Sequence, residues 1–141
     1  MAGWVGLSLA GAPGRSTPLD RAGIALLAHG LTTVLVLSLK QITHELRPDG
    51  SDSYSFPSGH TALAFTGAGL LDREFGRVSP LIPIGGYAVA TSTGLLRMTN
   101  DKHWVSDVLV GAGIGLLSAE VAYHVYPWLK RKFVRRKPAM H

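Results

Sequence analysis

The sequence predicts an all-α fold, a transmembrane helical bundle of about four apolar helices preceded by an N-terminal segment. Three observations carry this. The 141 residues are 46% hydrophobic and only 16% charged, whereas a soluble domain ordinarily carries about a quarter charged residues. The apolar residues gather into four stretches, of which the first, third and fourth approach the ~20 residues that cross a bilayer. The 17 glycines suit membrane helices whose backbones approach closely. The length fits one domain. A soluble bundle with buried helices is the alternative, since a mean hydropathy of +0.20 is modest for four spans.

Taken in order, residues 1–21 read as a loop or interfacial segment, broken by Pro13 and Pro18. Met1–Leu9 is apolar but lacks the basic start and full apolar run of a signal peptide. The first stretch, Ala22–Leu39, is nearly free of charge. The second, His60–Leu71, is short and needs help from Phe56 or a thin local bilayer. The third is Val78–Leu96. The fourth, Val108–Trp128, is interrupted by Glu120 and His124. The helical domain is therefore placed at 22–128, and residues 129–141 form a basic tail. No internal repeat or low-complexity segment divides the chain.

There is no cysteine, so disulfide frameworks and thiolate sites are excluded. The net charge is +5. Its densest run, Lys130, Arg131, Lys132, Arg135, Arg136 and Lys137, directly follows an apolar stretch. That placement fits a cytoplasmic membrane flank under the positive-inside rule better than a nucleic-acid arm. With this tail inside, Arg73 and Arg77 of the Asp72–Arg77 turn and Arg15 and Arg21 also fall inside. Lys40, Arg47, Arg97 and Lys102 then lie on the outer face, where the rule predicts no excess of cations.

Three clusters lie on that face. Lys40 is followed at 47–48 by Arg47-Pro48. Pro57-Ser58-Gly59-His60 opens the second stretch. Arg97, His103 and Asp107 lead into the fourth. Singly, each has a structural reading: a snorkelling helix end, a turn, an i,i+4 pair. Together their chemistry is complementary. Arginine offers a planar fork that matches phosphate oxygens. Ser58 and Gly59 sit at a helix N-terminus, where free N–H groups and the helix dipole favour an anion. Asp107 is placed to orient the His103 ring, and His60 to serve as general acid and base. His60, His103 and Asp107 could ligate zinc, but three nearby cations would repel it, so neither metal nor cofactor is expected.

These clusters resemble the signature of the type 2 phosphatidic acid phosphatase superfamily, Lys-x6-Arg-Pro, Pro-Ser-Gly-His and Ser-Arg-x5-His-x3-Asp. Here the pattern reads KQITHELRP at 40–48, PSGH at 57–60 and LRMTNDKHWVSD at 96–107. About ten residues match in order and spacing. Leu96 stands where the family usually has Ser. The resemblance implies that His103 attacks phosphorus and becomes phosphorylated, that Asp107 holds it, and that His60 protonates the leaving oxygen and then activates water. It further implies that Lys40, Arg47, Ser58, Gly59 and Arg97 hold the phosphoryl oxygens. The implied substrates are membrane lipid phosphates: polyprenyl diphosphate, phosphatidate, phosphatidylglycerol phosphate or lipid A phosphates. The implied location is a bacterial inner membrane, with the site on the periplasmic face.

Membrane members typically have six spans, with the first motif after the third. Only one clear span precedes Lys40 here. The expectation is a short form, a truncated chain, or a bundle completed by association, which makes a homo-oligomer an expected partner. The competing functions are a soluble acid phosphatase on small phosphoesters, a vanadate-dependent haloperoxidase, and an inactive membrane scaffold. His44, Glu45 and Trp104 read as loop or pocket-wall residues. Gly111 and Gly115 read as a helix-packing pair, and His124 as a polar residue at the far end of its span.

Overall fold

The computed structural model describes residues 14–134, and among these all regular structure is helical. Helix α1 spans Pro18–Thr43, α2 Gly59–Phe75, α3 Leu81–Thr99 and α4 Val105–Val134. The expectations for residues 1–13 and for Arg135, Arg136 and Lys137 fall outside the described residues.

Helix α1 begins before the apolar stretch that announced it. Pro18, read as a breaker, sits at the first helical position instead. There its missing N–H costs nothing and its fixed φ suits the helix. Thr17 caps the end, its hydroxyl accepting from the Asp20 N–H at 3.3 Å. The helix closes at His44, in the left-handed region at φ 47°, whose N–H donates to the Lys40 carbonyl.

Helix α2 grows at its C-terminal end rather than by recruiting Phe56. It runs through Phe75 and absorbs most of the segment read as the Asp72–Arg77 turn. The reason lies in Glu74, which is 2% exposed. Its carboxylate accepts from Arg21 Nε at 2.8 Å, from Tyr123 Oη at 2.8 Å and from the Ser16 N–H at 2.6 Å. A charge buried with that many donors is satisfied. The pattern of apolar residues alone could not show this.

The four helices alternate in direction, and α2 is central. It packs against α4 and α3, while α1 packs against α4 and more lightly on α2. The expected Gly111–Gly115 pair makes the α2–α4 contact. A Cβ at Gly111 would lie 2.6 Å from the Ser58 carbonyl oxygen, and one at Gly115 would lie 2.3 Å from that of Ala62. Only glycine permits this approach. Ile24, Ala28, Leu70, Ala119 and Ala122 form the core where α1, α2 and α4 meet. Thr32 and Thr66 share a buried hydroxyl contact of 2.7 Å between α1 and α2.

The outside of the bundle is apolar: Leu26, Leu37, Ile84, Val89, Leu109 and Leu117 are all exposed. Helices α1 and α4 are long and apolar enough to cross a membrane. Helix α2, at 17 residues, is about 26 Å long and short of a ~30 Å hydrocarbon core. Helix α3 has 19 residues, but Thr91, Ser92 and Thr93 dilute its middle.

Candidate active site

All three sequence clusters meet at one end of the bundle, at the C-terminal ends of α1 and α3 and the N-terminal ends of α2 and α4. Lys40, Arg47, Gly59, His60, Leu63, Arg97 and His103 line a common cavity of about 260 Å³. Antiparallel packing is what gathers them, since residues as distant in sequence as Lys40 and His103 line one cavity.

Each cation is held differently. Lys40, on the last turn of α1, donates to the Tyr54 carbonyl and, at 3.2 Å, to the Ser55 carbonyl. Arg47 lies in the α1–α2 connection. Its Nε pairs with Asp52 at 2.8 Å, and its Nη1 donates to the Lys102 carbonyl at 3.1 Å. Arg97, on the last turn of α3, has a buried Nε with no hydrogen-bond partner among the described residues. It is the cation with the most unspent donor capacity.

The two connections at this end are latched together. The Asp49 N–H donates to the Asp101 carbonyl at 3.1 Å, Trp104 Nε1 donates to the Leu46 carbonyl at 3.0 Å, and Lys102 pairs with Asp49. Lys102, one of the four cations that the sequence assigns to the outer face, is thus matched by a local carboxylate and lies outside the cavity lining. Its ammonium holds the Asp49 carboxyl well below the usual carboxylate range.

His103 is not on a helix. It sits in the α3–α4 turn after Asp101, whose φ is 53°, and its N–H donates to the Arg97 carbonyl at 3.2 Å. Asp107 stands in the first turn of α4 and is completely buried. The His103 Nδ1 lies 3.4 Å from Asp107 Oδ2. This leaves Nε2 as the imidazole nitrogen with a free lone pair once Nδ1 carries the proton. Oδ2 also accepts the Trp104 N–H at 2.8 Å and the Ser55 hydroxyl. Burial foremost, then Arg47 and Lys40, pull the His103 ring down to about 4, against the opposing pull of Asp107. The ring is therefore neutral at pH 7.

At the start of α2, Gly59 and His60 face the cavity. Ser58 does not line it. Its side chain is fully buried and its hydroxyl meets Thr61 Oγ1 at 2.9 Å. Its backbone N–H donates to the Asp107 carbonyl at 3.0 Å, tying the α2 start to the α4 start. Sequence reasoning missed Ser55 and Asp52. Neither belongs to a motif by spacing, and only the folded connection reveals their partners. His124 lies at the opposite end, 3.5 Å from Glu120.

The PAP2 superfamily model matches residues 21–131. The chain belongs to that superfamily. As a PAP2 chain it is 42% identical over 112 residues, 79% of its length, to the lipid A 1-phosphatase of Porphyromonas gingivalis. It is 34% identical over 83 residues, 49% of its length, to the probable diacylglycerol pyrophosphate phosphatase 1 of Schizosaccharomyces pombe. The PAP2 chain spans only 24% and 29% of the lengths of these two relatives. Among solved structures it resembles the crystal structure of Aquifex aeolicus LpxE, with a TM-score of 0.69 and 32% identity. That match covers 74% of this chain and 68% of the other.

Proposed function

We propose that this chain is the catalytic unit of a membrane lipid phosphate phosphatase that works through a phosphohistidine on His103. The observation that carries this reading is the shared cavity, where a neutral imidazole 3.4 Å from the buried Asp107 carboxylate faces Lys40, Arg47 and Arg97. The cations and the α2 N-terminus at Gly59 hold the non-bridging phosphoryl oxygens. The Nε2 lone pair of His103 forms the bond to phosphorus as the bond to the ester oxygen breaks. His60 gives that oxygen its proton. His60 then takes a proton from water, whose oxygen displaces the imidazole, and phosphate leaves. Fixed cations around the reacting phosphoryl group are where such enzymes gain most of their rate.

The apolar outer surface and the two long apolar helices support a lipid substrate over a small soluble phosphoester. So do the names of the two curated relatives, a lipid A 1-phosphatase and a probable diacylglycerol pyrophosphate phosphatase. The basic residues of α4, Lys130, Arg131 and Lys132, support an orientation with this end cytoplasmic and the cavity on the outer face.

The test is phosphate release from lipid A 1-phosphate, phosphatidate and polyprenyl diphosphate, in detergent with a chelator present. Turnover is expected to survive chelation, to be inhibited by vanadate, and to vanish in His103→Ala. Full activity in that variant would overturn the mechanism.

A further inference from the structure

Ser55 ties the first motif to the third. It is fully buried, yet all its polar groups are used. Its N–H donates to the Glu45 carbonyl at 2.9 Å. Its carbonyl accepts from Lys40 at 3.2 Å. Its hydroxyl donates to Asp107 Oδ2, the same oxygen that faces His103 at 3.4 Å. One residue thus anchors a phosphate-side cation through its backbone and the carboxylate of the His–Asp pair through its side chain.

We infer that Ser55 is a positioning residue for the reaction, aiming Asp107 at His103 and moderating how strongly that carboxylate acts on the ring. This inference rests on the phosphatase reading above and deepens it. Asp107 Oδ1 is buried with no hydrogen-bond partner among the described residues. The orientation of the carboxylate therefore depends on what holds Oδ2, namely Ser55 and the Trp104 N–H. A hydroxyl donated to a carboxylate also stabilises its negative charge and weakens its demand for a second proton donor. Without Ser55, Oδ2 turns more of its charge to His103.

The groups facing His103 come from every element around it: Lys40 from α1, Arg47 from the α1–α2 connection, His60 from α2, Arg97 from α3 and Asp107 from α4. Ser55→Ala leaves all five in place and keeps the backbone carbonyl that anchors Lys40. The expected result is a fall in kcat of about 10- to 100-fold, as for a lost hydrogen bond to a charged group, with KM changed by less than about threefold. The acid limb of kcat/KM, and the His103 ring titration followed by NMR in detergent, are expected to move to higher pH. A purely structural loss would lower activity without moving the limb. Combined with Asp107→Asn, Ser55→Ala is expected to add little further loss, because both act through one carboxylate.

Thermal unfolding of each variant in detergent separates misfolding from mispositioning. Should Ser55→Ala lose its fold, the smaller change Ser55→Cys, with a weaker donor, is expected to give an intermediate shift of the limb. Wild-type kcat and an unmoved limb in a folded Ser55→Ala would overturn the inference while leaving the phosphatase reading intact. Full activity in His103→Ala would overturn the reading itself.

Discussion

His103 is buried to 3% exposure, and its setting favours a neutral ring over a cationic one. Its ring, ordinarily near 6.5, is drawn to about 4 by burial and by Arg47 and Lys40. NMR titration of the ligand-free protein is expected to show it protonating well below pH 6. The same shift has a stability consequence. Between about 4 and 6.5 the unfolded chain binds a proton that the folded chain refuses, so stability rises with pH through that window. Thermal unfolding in detergent is expected to shift to lower temperature as the pH is taken from 6.5 to 4. Arg97 differs from the other cavity cations in how its guanidinium is held. With its Nε buried and unused, its planar fork is available to phosphate in a way an ammonium cannot copy. Arg97→Lys is expected to lower kcat/KM by about 100-fold, of the order of two charge-assisted hydrogen bonds. Near-normal turnover would mean that Arg97 supplies only field.

The α2–α4 contact sets where Gly59 and His60 stand relative to Asp107. Two glycines of α4 test this because their surroundings differ. A Cβ at Gly115 would collide with the Ala62 carbonyl oxygen at 2.3 Å and the Thr66 N at 2.8 Å, while one at Gly113 would meet nothing within 4 Å. Gly115→Ala is expected to destabilise by about 1–3 kcal/mol through overpacking and to lower activity by spreading the site. Gly113→Ala is expected to stabilise by about 0.5–1 kcal/mol through helix propensity. Paired melting curves and kcat/KM values check both. The element boundaries follow similar local causes. Pro18 starts α1 because a proline fits the first turn, and α2 continues to Phe75 because Glu74 finds Arg21 and Tyr123.

The whole molecule divides its polar groups between two ends. The cavity itself is lined by Lys40, Arg47 and Arg97 with no carboxylate among its lining residues, and the opposite end holds the pairs Arg21–Glu74, Arg73–Glu120 and Lys130–Asp20. Glu74 lies 15 residues along α2 from Gly59, about 22 Å at the helical rise. Glu74→Ala removes the buried partner of Arg21 and is expected to destabilise by about 3–5 kcal/mol. The folded fraction is expected to keep its kcat/KM, as measured by activity normalised to folded protein. The helical class and the four apolar elements were legible in the sequence, and so was the grouping of Lys40, Arg47, Gly59, His60, Arg97 and His103, which line one cavity. Periodic apolar runs and motif spacing are local properties, and they depend on nothing beyond neighbouring residues. Tertiary structure alone decided that Ser58 turns its hydroxyl to Thr61 and away from the cavity, that Lys102 is matched by Asp49, and that Ser55 holds Asp107. The last two are contacts between segments more than 50 residues apart in sequence. They exist only once antiparallel packing brings the two connections together over one cavity.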